Sequence, residues 1–372
     1  MEVHEEPVST TLPEELIIEI LSRLPAKSVL RFRCVCKSWK SLFSEPEFVQ
    51  KHLHMSNSNT HFKNHKVILN CADYQFLLKS CCLYNVLNEP SEWAFPLEYS
   101  LKGTDYSIVV VGSCNGLVCI VFEQIMAYIW NPSIRESKRL PDLGLEPEFR
   151  SISTYGFGFD HSHDDYKVVS VFSTVEGFKR KTEVTVYSLR SNSWKRIEDF
   201  PCGFPTNETG KFLSGQLHFV AFDNVDLASP LLIVSLDLAS EAYNVVPLPV
   251  YDRDLELSLG VLGEHLCAIC NYHSSHADIW LMKEYNWSDS WIKLMTVEFS
   301  DENLFLYAKP LCLTKSDEIL FDHGGAFSLY DLKKNLFRYL RVYGSHGCLE
   351  SGLYVESLVS ILGYVDDGVE RH

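Results

Sequence analysis

Apolar residues in the first fifty positions recur at helical intervals. From Leu12 the chain runs Leu12-Pro13-Glu14-Glu15-Leu16-Ile17-Ile18-Glu19-Ile20-Leu21-Ser22-Arg23-Leu24-Pro25. Leu16, Ile17, Ile20, Leu21 and Leu24 fall on one broad helical face, and Pro25 ends the run by removing an amide donor and crowding the preceding turn. Thr11 is the expected N-cap with Glu14 three residues on, Pro13 suits the first turn, and Glu14, Glu15 and Glu19 complement the positive end of the helix dipole. A second apolar set follows at Val29, Phe32, Val35, Cys36, Trp39, Leu42 and Phe43. A helical unit of under about fifty residues with so wide an apolar surface is marginal alone and is expected to complete its core against a partner.

From His52 to His65 the chain is polar and without clear period, which predicts a connection between domains. Beyond it the texture changes to short runs of Val, Ile, Tyr, Phe and Trp separated by Gly, Asn, Asp, Ser and Pro, the pattern of many short strands. The clearest hairpin joins Val109–Cys114 to Leu117–Val121 through Asn115-Gly116, a pair that readily supplies the positive φ angles of a type I′ turn. Strand-like segments that carry an aromatic or aliphatic residue recur. Tyr84, Trp130, Tyr187, Leu236, Trp280 and Tyr330 mark them, at spacings of 46, 57, 49, 44 and 50 residues. The period is near the roughly 50 residues of a kelch unit and is long enough for a four-stranded blade. A β-propeller of about six blades is expected, with a single large sandwich as the alternative that leaves the period unexplained.

Composition narrows the function classes. The chain has 372 residues, 46% of them hydrophobic and 22% charged, with twelve cysteines and a net charge of −16. The acidic opening Met-Glu-Val-His-Glu-Glu does not resemble a signal peptide. The most apolar segment, Ile108 to Phe122, is shorter than the roughly 20 residues of a membrane helix and is broken by Gly112 and Gly116. The cysteines are expected to be reduced thiols, and the compartment to be cytoplasm, nucleus or both. The acidic balance opposes general nucleic-acid binding. One stretch runs against it: Arg23, Lys27, Arg31, Arg33, Lys37 and Lys40 are interrupted by no acidic residue. A helix-turn-helix DNA reader is disfavoured there by Leu24-Pro25 at the first junction.

Three constellations resemble sites and are better explained as structure. Gly112-x-Cys114-x-Gly116 has nucleophile-elbow spacing, yet an elbow needs a helix after its turn and Leu117 to Phe122 is strand-like. Asp322-His323-Gly324-Gly325 likewise joins two strands. Cys267, Cys270, His273 and His276 are too tightly spaced for the usual paired zinc ligands, and strand alternation sends the two cysteines to opposite faces. No catalytic residues, metal or cofactor are expected.

Taken together, Leu12-Pro13-x-x-Leu16, Ile20-Leu21-x-x-Leu24-Pro25, Ser28-x-Leu30-Arg31-Phe32 and Cys34-Val35-Cys36-Lys37-x-Trp39 resemble an F-box. The resemblance implies docking onto a Skp-type adaptor, and through it a cullin. By position it makes Leu12, Pro13, Leu16, Ile20, Leu24, Pro25, Val35 and Trp39 anchors or their support. Such adaptors are acidic, so the resemblance also gives the basic stretch a place at the rim. Gly112-Ser113-Cys114-Asn115-Gly116-Leu117, Trp130-Asn131-Pro132, Tyr155-Gly156-Phe157-Gly158-Phe159-Asp160 and Asp165-Tyr166-Lys167-Val168-Val169 resemble the F-box-associated domain of plant F-box proteins, which presents a target-binding surface.

The expected organisation is a small all-α F-box (6–52), a connection (53–65) and an all-β, kelch-like propeller domain (66–365). The expected function is that of a non-catalytic substrate-recognition subunit of an SCF (Skp–cullin–F-box) ubiquitin ligase, with no nucleic-acid or membrane partner. The target and its contact residues are not specified by the sequence. The alternative is a propeller enzyme or sugar-binding protein whose helical N-terminus packs internally.

Overall fold

Helix-period and strand-period sequence fold into separate units. A computed structural model of the chain describes residues 12–72, 76–99, 106–144, 151–176, 179–224, 229–249, 255–272, 275–298 and 308–364. Four helices come first: α1 (Glu14–Ser22), α2 (Ala26–Phe32), α3 (Lys37–Leu42) and α4 (Pro46–Asn57). Leu21, Ala26, Val29, Phe43 and Phe48 form their shared core. Among the described residues no helix is long and apolar enough to cross a membrane.

The connection expected over 53–65 is helical through Asn57. Its polar composition hid a buried stripe, because Phe48, His52, Leu53 and Ser56 all face inward. His52 Nε2 lies 2.9 Å from the Leu24 carbonyl, and Asn64 Nδ2 donates to Ser56 Oγ at 3.1 Å, while His52 Nδ1 is buried with no partner among the described residues. Thr11, the expected N-cap, lies outside the described residues; Pro13 occupies the N-cap position of α1.

Six antiparallel sheets follow as the blades of a propeller. Blade two is built from Ile108–Cys114, Leu117–Phe122, Met126–Asn131 and Glu136–Arg139, from channel to rim. Its second strand is buried at every position, since both of its faces pack against neighbouring blades. The Asn115-Gly116 turn has φ of 53° and 81°, as its sequence predicts. Outer strands are exposed and alternate: in Ser193–Arg196 only Trp194 turns inward, its ring 5.3 Å from that of Tyr187.

Five of the six sequence markers (Trp130, Tyr187, Leu236, Trp280 and Tyr330) stand on the third strand of their blade. In four of those blades a common device links marker to rim. The residue five positions on has positive φ, at Arg135, Asn192, Glu241 and Asn335, and turns the chain into the outer strand. Asn131, Asp237 and Asp331, each directly after a marker, accept backbone N–H bonds within the same turn. The sixth marker was misread. Leu83–Val86, expected as strand-like, begins the helix α5 (Leu83–Asn88), which buries Leu83, Val86 and Leu87 at i, i+3 and i+4 against the cluster between blades six and one.

Ring closure uses the last strand. Cys348–Val355 pairs antiparallel with His65–Ala72, so blade one takes its innermost strand from the far end of the chain. A second seam lies further out, where Val342–Tyr343 pairs parallel with Glu92–Trp93 and the Trp93 and Tyr343 rings stack 4.7 Å apart.

Candidate interaction surface

Helix α1 divides its apolar residues between two directions. Leu21 is buried, while Ile17 and Leu24 pack at the edge of the helical core. Leu16 and Ile20, four apart, stand 50% and 52% exposed, and Leu12 one turn earlier is 57% exposed. The stripe therefore faces away from both the helical core and the propeller. Val35, between α2 and α3, is 62% exposed. Trp39 is half-buried and packs, in tilted geometry, against the rings of Phe32 and Phe43 at 5.7 and 6.1 Å, which ties α3 to the end of α2. Pro13 and Pro25 are the exposed N-caps of α1 and α2; each sets the extended φ/ψ from which its helix departs.

Of the six basic residues around this surface, Arg23 is already committed. Its guanidinium reaches Glu19 Oε1 at 2.6 Å while Lys51 reaches Glu19 Oε2 at 2.7 Å, and Lys51 and Arg23 together hold the Glu19 carboxyl below its usual range. Arg33 reaches the Ser44 hydroxyl at 3.3 Å. Lys27, Arg31, Lys37 and Lys40 are exposed and form no ion pair among the described residues. The surface is thus an apolar stripe beside four uncommitted cations.

The helical unit is seated on the propeller by the segment that follows the closing strand. Leu358 enters the helical core together with Ile134, and Val359 and Ile361 join Leu53 of α4 in the cluster between blades two and three. Asn131, buried after the blade-two marker, donates from Nδ2 to the carbonyls of Ser357 and Val359 at 3.3 and 2.7 Å. Glu136 accepts from Ser360 Oγ and the Ile361 amide at 2.9 and 3.0 Å. Gly116 lies so close that a Cβ there would fall 2.2 Å from Ser357 Oγ. The Gly-Ser-Cys-Asn-Gly and Trp-Asn-Pro motifs are therefore a clamp on the C-terminal segment, a role that sequence spacing alone did not expose.

The site-like cysteines are structural. Cys114 is buried and followed directly by strand, and burial pushes its thiol up. Cys267 packs into the cluster between blades five and six and Cys270 into that between blades four and five, on opposite faces of their strand. His273 lies outside the described residues. Among the described residues no group of three or more His, Cys, Asp or Glu side chains is gathered to hold a metal.

Residues 10–51 match the F-box domain and residues 75–361 match the F-box associated beta propeller domain. The chain belongs to the F-box proteins. An F-box/kelch-repeat protein of Arabidopsis thaliana is 33% identical over 94% of this chain and 95% of its own length. The F-box protein CPR1 of the same plant is 31% identical over 94% of this chain and 89% of its own. Among solved structures, a lectin of Aleuria aurantia has a TM-score of 0.46 at 9% identity, covering 75% of this chain and 92% of the lectin. That likeness is too loose to bring sugar binding to this F-box protein.

Proposed function

We propose that this F-box protein is the substrate-recognition subunit of an SCF ubiquitin ligase. In this reading residues 6–52 dock onto a Skp-type adaptor, which bridges to a cullin, and residues 66–365 hold a target protein. The single observation that carries it is the stripe of Leu12, Leu16 and Ile20, with Val35 beside it, left exposed by a helical unit that buries or half-buries its other large apolar residues. Fully burying a large aliphatic side chain contributes about 1.5–3 kcal/mol, so these four, each half exposed or a little more, supply roughly 3–7 kcal/mol gross. Association costs about 4–15 kcal/mol, so the stripe also needs support from half-buried Leu24 and Trp39 and from Pro13 and Pro25 at the helix starts. The protein is non-catalytic in this role and raises the local concentration of target lysines at the transfer machinery. Among the described residues none of the twelve cysteines is joined in a disulfide, which fits a reducing compartment, cytoplasm or nucleus.

The test is co-elution of the full chain with a purified Skp-type adaptor on a sizing column. A one-to-one complex is expected, abolished by the double substitution Leu16→Asp and Ile20→Asp with no loss of thermal stability. A well-folded wild-type chain that fails to bind the adaptor would overturn the reading.

A further inference from the structure

The innermost strands run in parallel and end at the F-box side. Ile108–Cys114 leads into Gly116, against Ser357, and Leu358 next to it lies in the F-box core. The starts of Glu256–Leu262 and Lys309–Leu313 are therefore at the opposite rim, as are the end of His265–Tyr272 and the start of His276–Met282. A cavity of about 380 Å3 opens there, walled by Phe222, Leu257 and Ile269 from blades four and five.

Blade four makes room for it. Its innermost strand is split, because Phe204–Pro205 and Lys211–Leu213 pair separately with Gln216–Phe222. The segment between them turns toward blade three, where the Gly210 amide donates to the Tyr155 carbonyl at 2.8 Å. Thr206, in that segment, has both backbone groups engaged, with Val220 and with the Thr154 hydroxyl. Thr206 lines the cavity, while its Oγ1 is itself buried, with no hydrogen-bond partner among the described residues. At the mouth, Glu208, Glu256 and Lys309 form no ion pairs among the described residues. Lys211, behind this wall, lies close enough to Glu208, Lys309 and Glu350 to feel all three charges. Among the lining residues two carboxylates, Glu208 and Glu256, stand with one ammonium group, Lys309, the reverse of the basic F-box surface.

We propose that this cavity is the target-recognition pocket, and that it takes one large apolar side chain of an extended target segment with a Lys or Arg beside it. The volume fits one such side chain with space to spare, and walls of apolar residues with a few polar groups at the mouth are the usual make-up of a recognition pocket. The flanking cation is drawn to Glu208 and Glu256, at the end of the molecule farthest from the adaptor-binding stripe. The inference rests on the substrate-receptor reading.

A phage-displayed random peptide library is panned against the full chain, alone and adaptor-bound. Enriched peptides are expected to pair a Leu, Phe or Trp with an adjacent Arg or Lys. Ser258→Phe, which fills the cavity from its wall, is expected to weaken a synthetic copy of the best peptide at least tenfold, with adaptor co-elution and melting temperature unchanged. The double substitution Glu208→Lys and Glu256→Lys is expected to switch the selected flank to Asp or Glu, and it guards against a Ser258 variant that fails to fold. No enrichment, an enriched motif without the apolar–basic pair, or a flank indifferent to charge reversal would each overturn the proposal. Adaptor co-elution is scored separately, so failure of the ligase reading and failure of the pocket are distinguishable.

Discussion

Leu16 and Leu117 both belong to dense apolar runs, yet one is half exposed on a helix and the other is sealed between blades. In the propeller each sheet is covered by the next, so an apolar residue on a central strand meets a partner from the same chain whichever face it takes. A helical unit of four short helices has no such second layer. Its core absorbs Leu21, Ala26 and Val29, and the apolar residues one helical step away are left on the outside. The same hydrophobicity therefore means stability in one region and availability in the other, and burial, not residue type, separates them.

The largest test of that contrast is a pair of truncations. Trp130→Ala, at a fully buried ring between blades one and two, should destabilise the protein by about 3–5 kcal/mol in denaturant unfolding. Leu21→Ala should cost about 2–5 kcal/mol through the helical core. Ile20→Ala, its immediate neighbour, should shift stability by less than about 0.5 kcal/mol while weakening adaptor binding. If Ile20→Ala unfolds the chain as Leu21→Ala does, the exposed stripe is part of a core and the division between the two regions fails.

Next in size is the joint between the regions. Asn131→Ala leaves the Ser357 and Val359 carbonyls without their donor, and an unmade buried hydrogen bond costs about 1–3 kcal/mol. Hydrogen exchange should show amides at 357–361 losing protection while the blades keep theirs. Uniform loss across all blades would mean that the segment is part of ring closure and not a seat for the F-box.

Acid should act on both regions through buried imidazoles. Burial lowers His65 and His218 to about 4 and lowers His52 as well. Each binds a proton more readily when unfolded, so its contribution is complete above the unfolded pKa and shrinks as pH falls from about 6.5 toward the folded value. Between pH 7 and about pH 5.5, His65 and His218 should each remove about 1 kcal/mol. Denaturant melts at the two pH values would check this, with His218→Gln expected to flatten the dependence.

The sequence carried the blade count because the marker, the turn residue five places on and the inward aromatic are local and repeat. It carried the candidate surface because the F-box motif is dense over forty residues. Elements without a period were not legible. Val342–Tyr343 and Glu92–Trp93 are two-residue strands paired at the ring-closing seam though far apart in sequence, and nothing local marks them. Helix α5 resembled a strand because six residues hold too few turns to separate a helical period from alternation. The far-rim cavity depends on a split strand, which is a property of pairing and not of composition. Arg23 was grouped with the docking cations, although Glu19, four residues earlier on the same helix, already claims it.

That correction sets up the smallest effect. Lys27, Arg31, Lys37 and Lys40 are exposed around the stripe, and charges at a rim accelerate encounter more than they strengthen a docked complex. With an acidic adaptor, Lys37→Ala with Lys40→Ala should slow association severalfold at low salt and leave dissociation nearly unchanged. The difference should fade as added salt shortens the Debye length from about 10 Å at 0.1 M toward 3 Å at 1 M. Stopped-flow mixing separates the two rates. Faster dissociation in the lysine variants, in place of slower association, would move these cations from the rim into the buried part of the interface, where removing one strands its partner charge and costs far more.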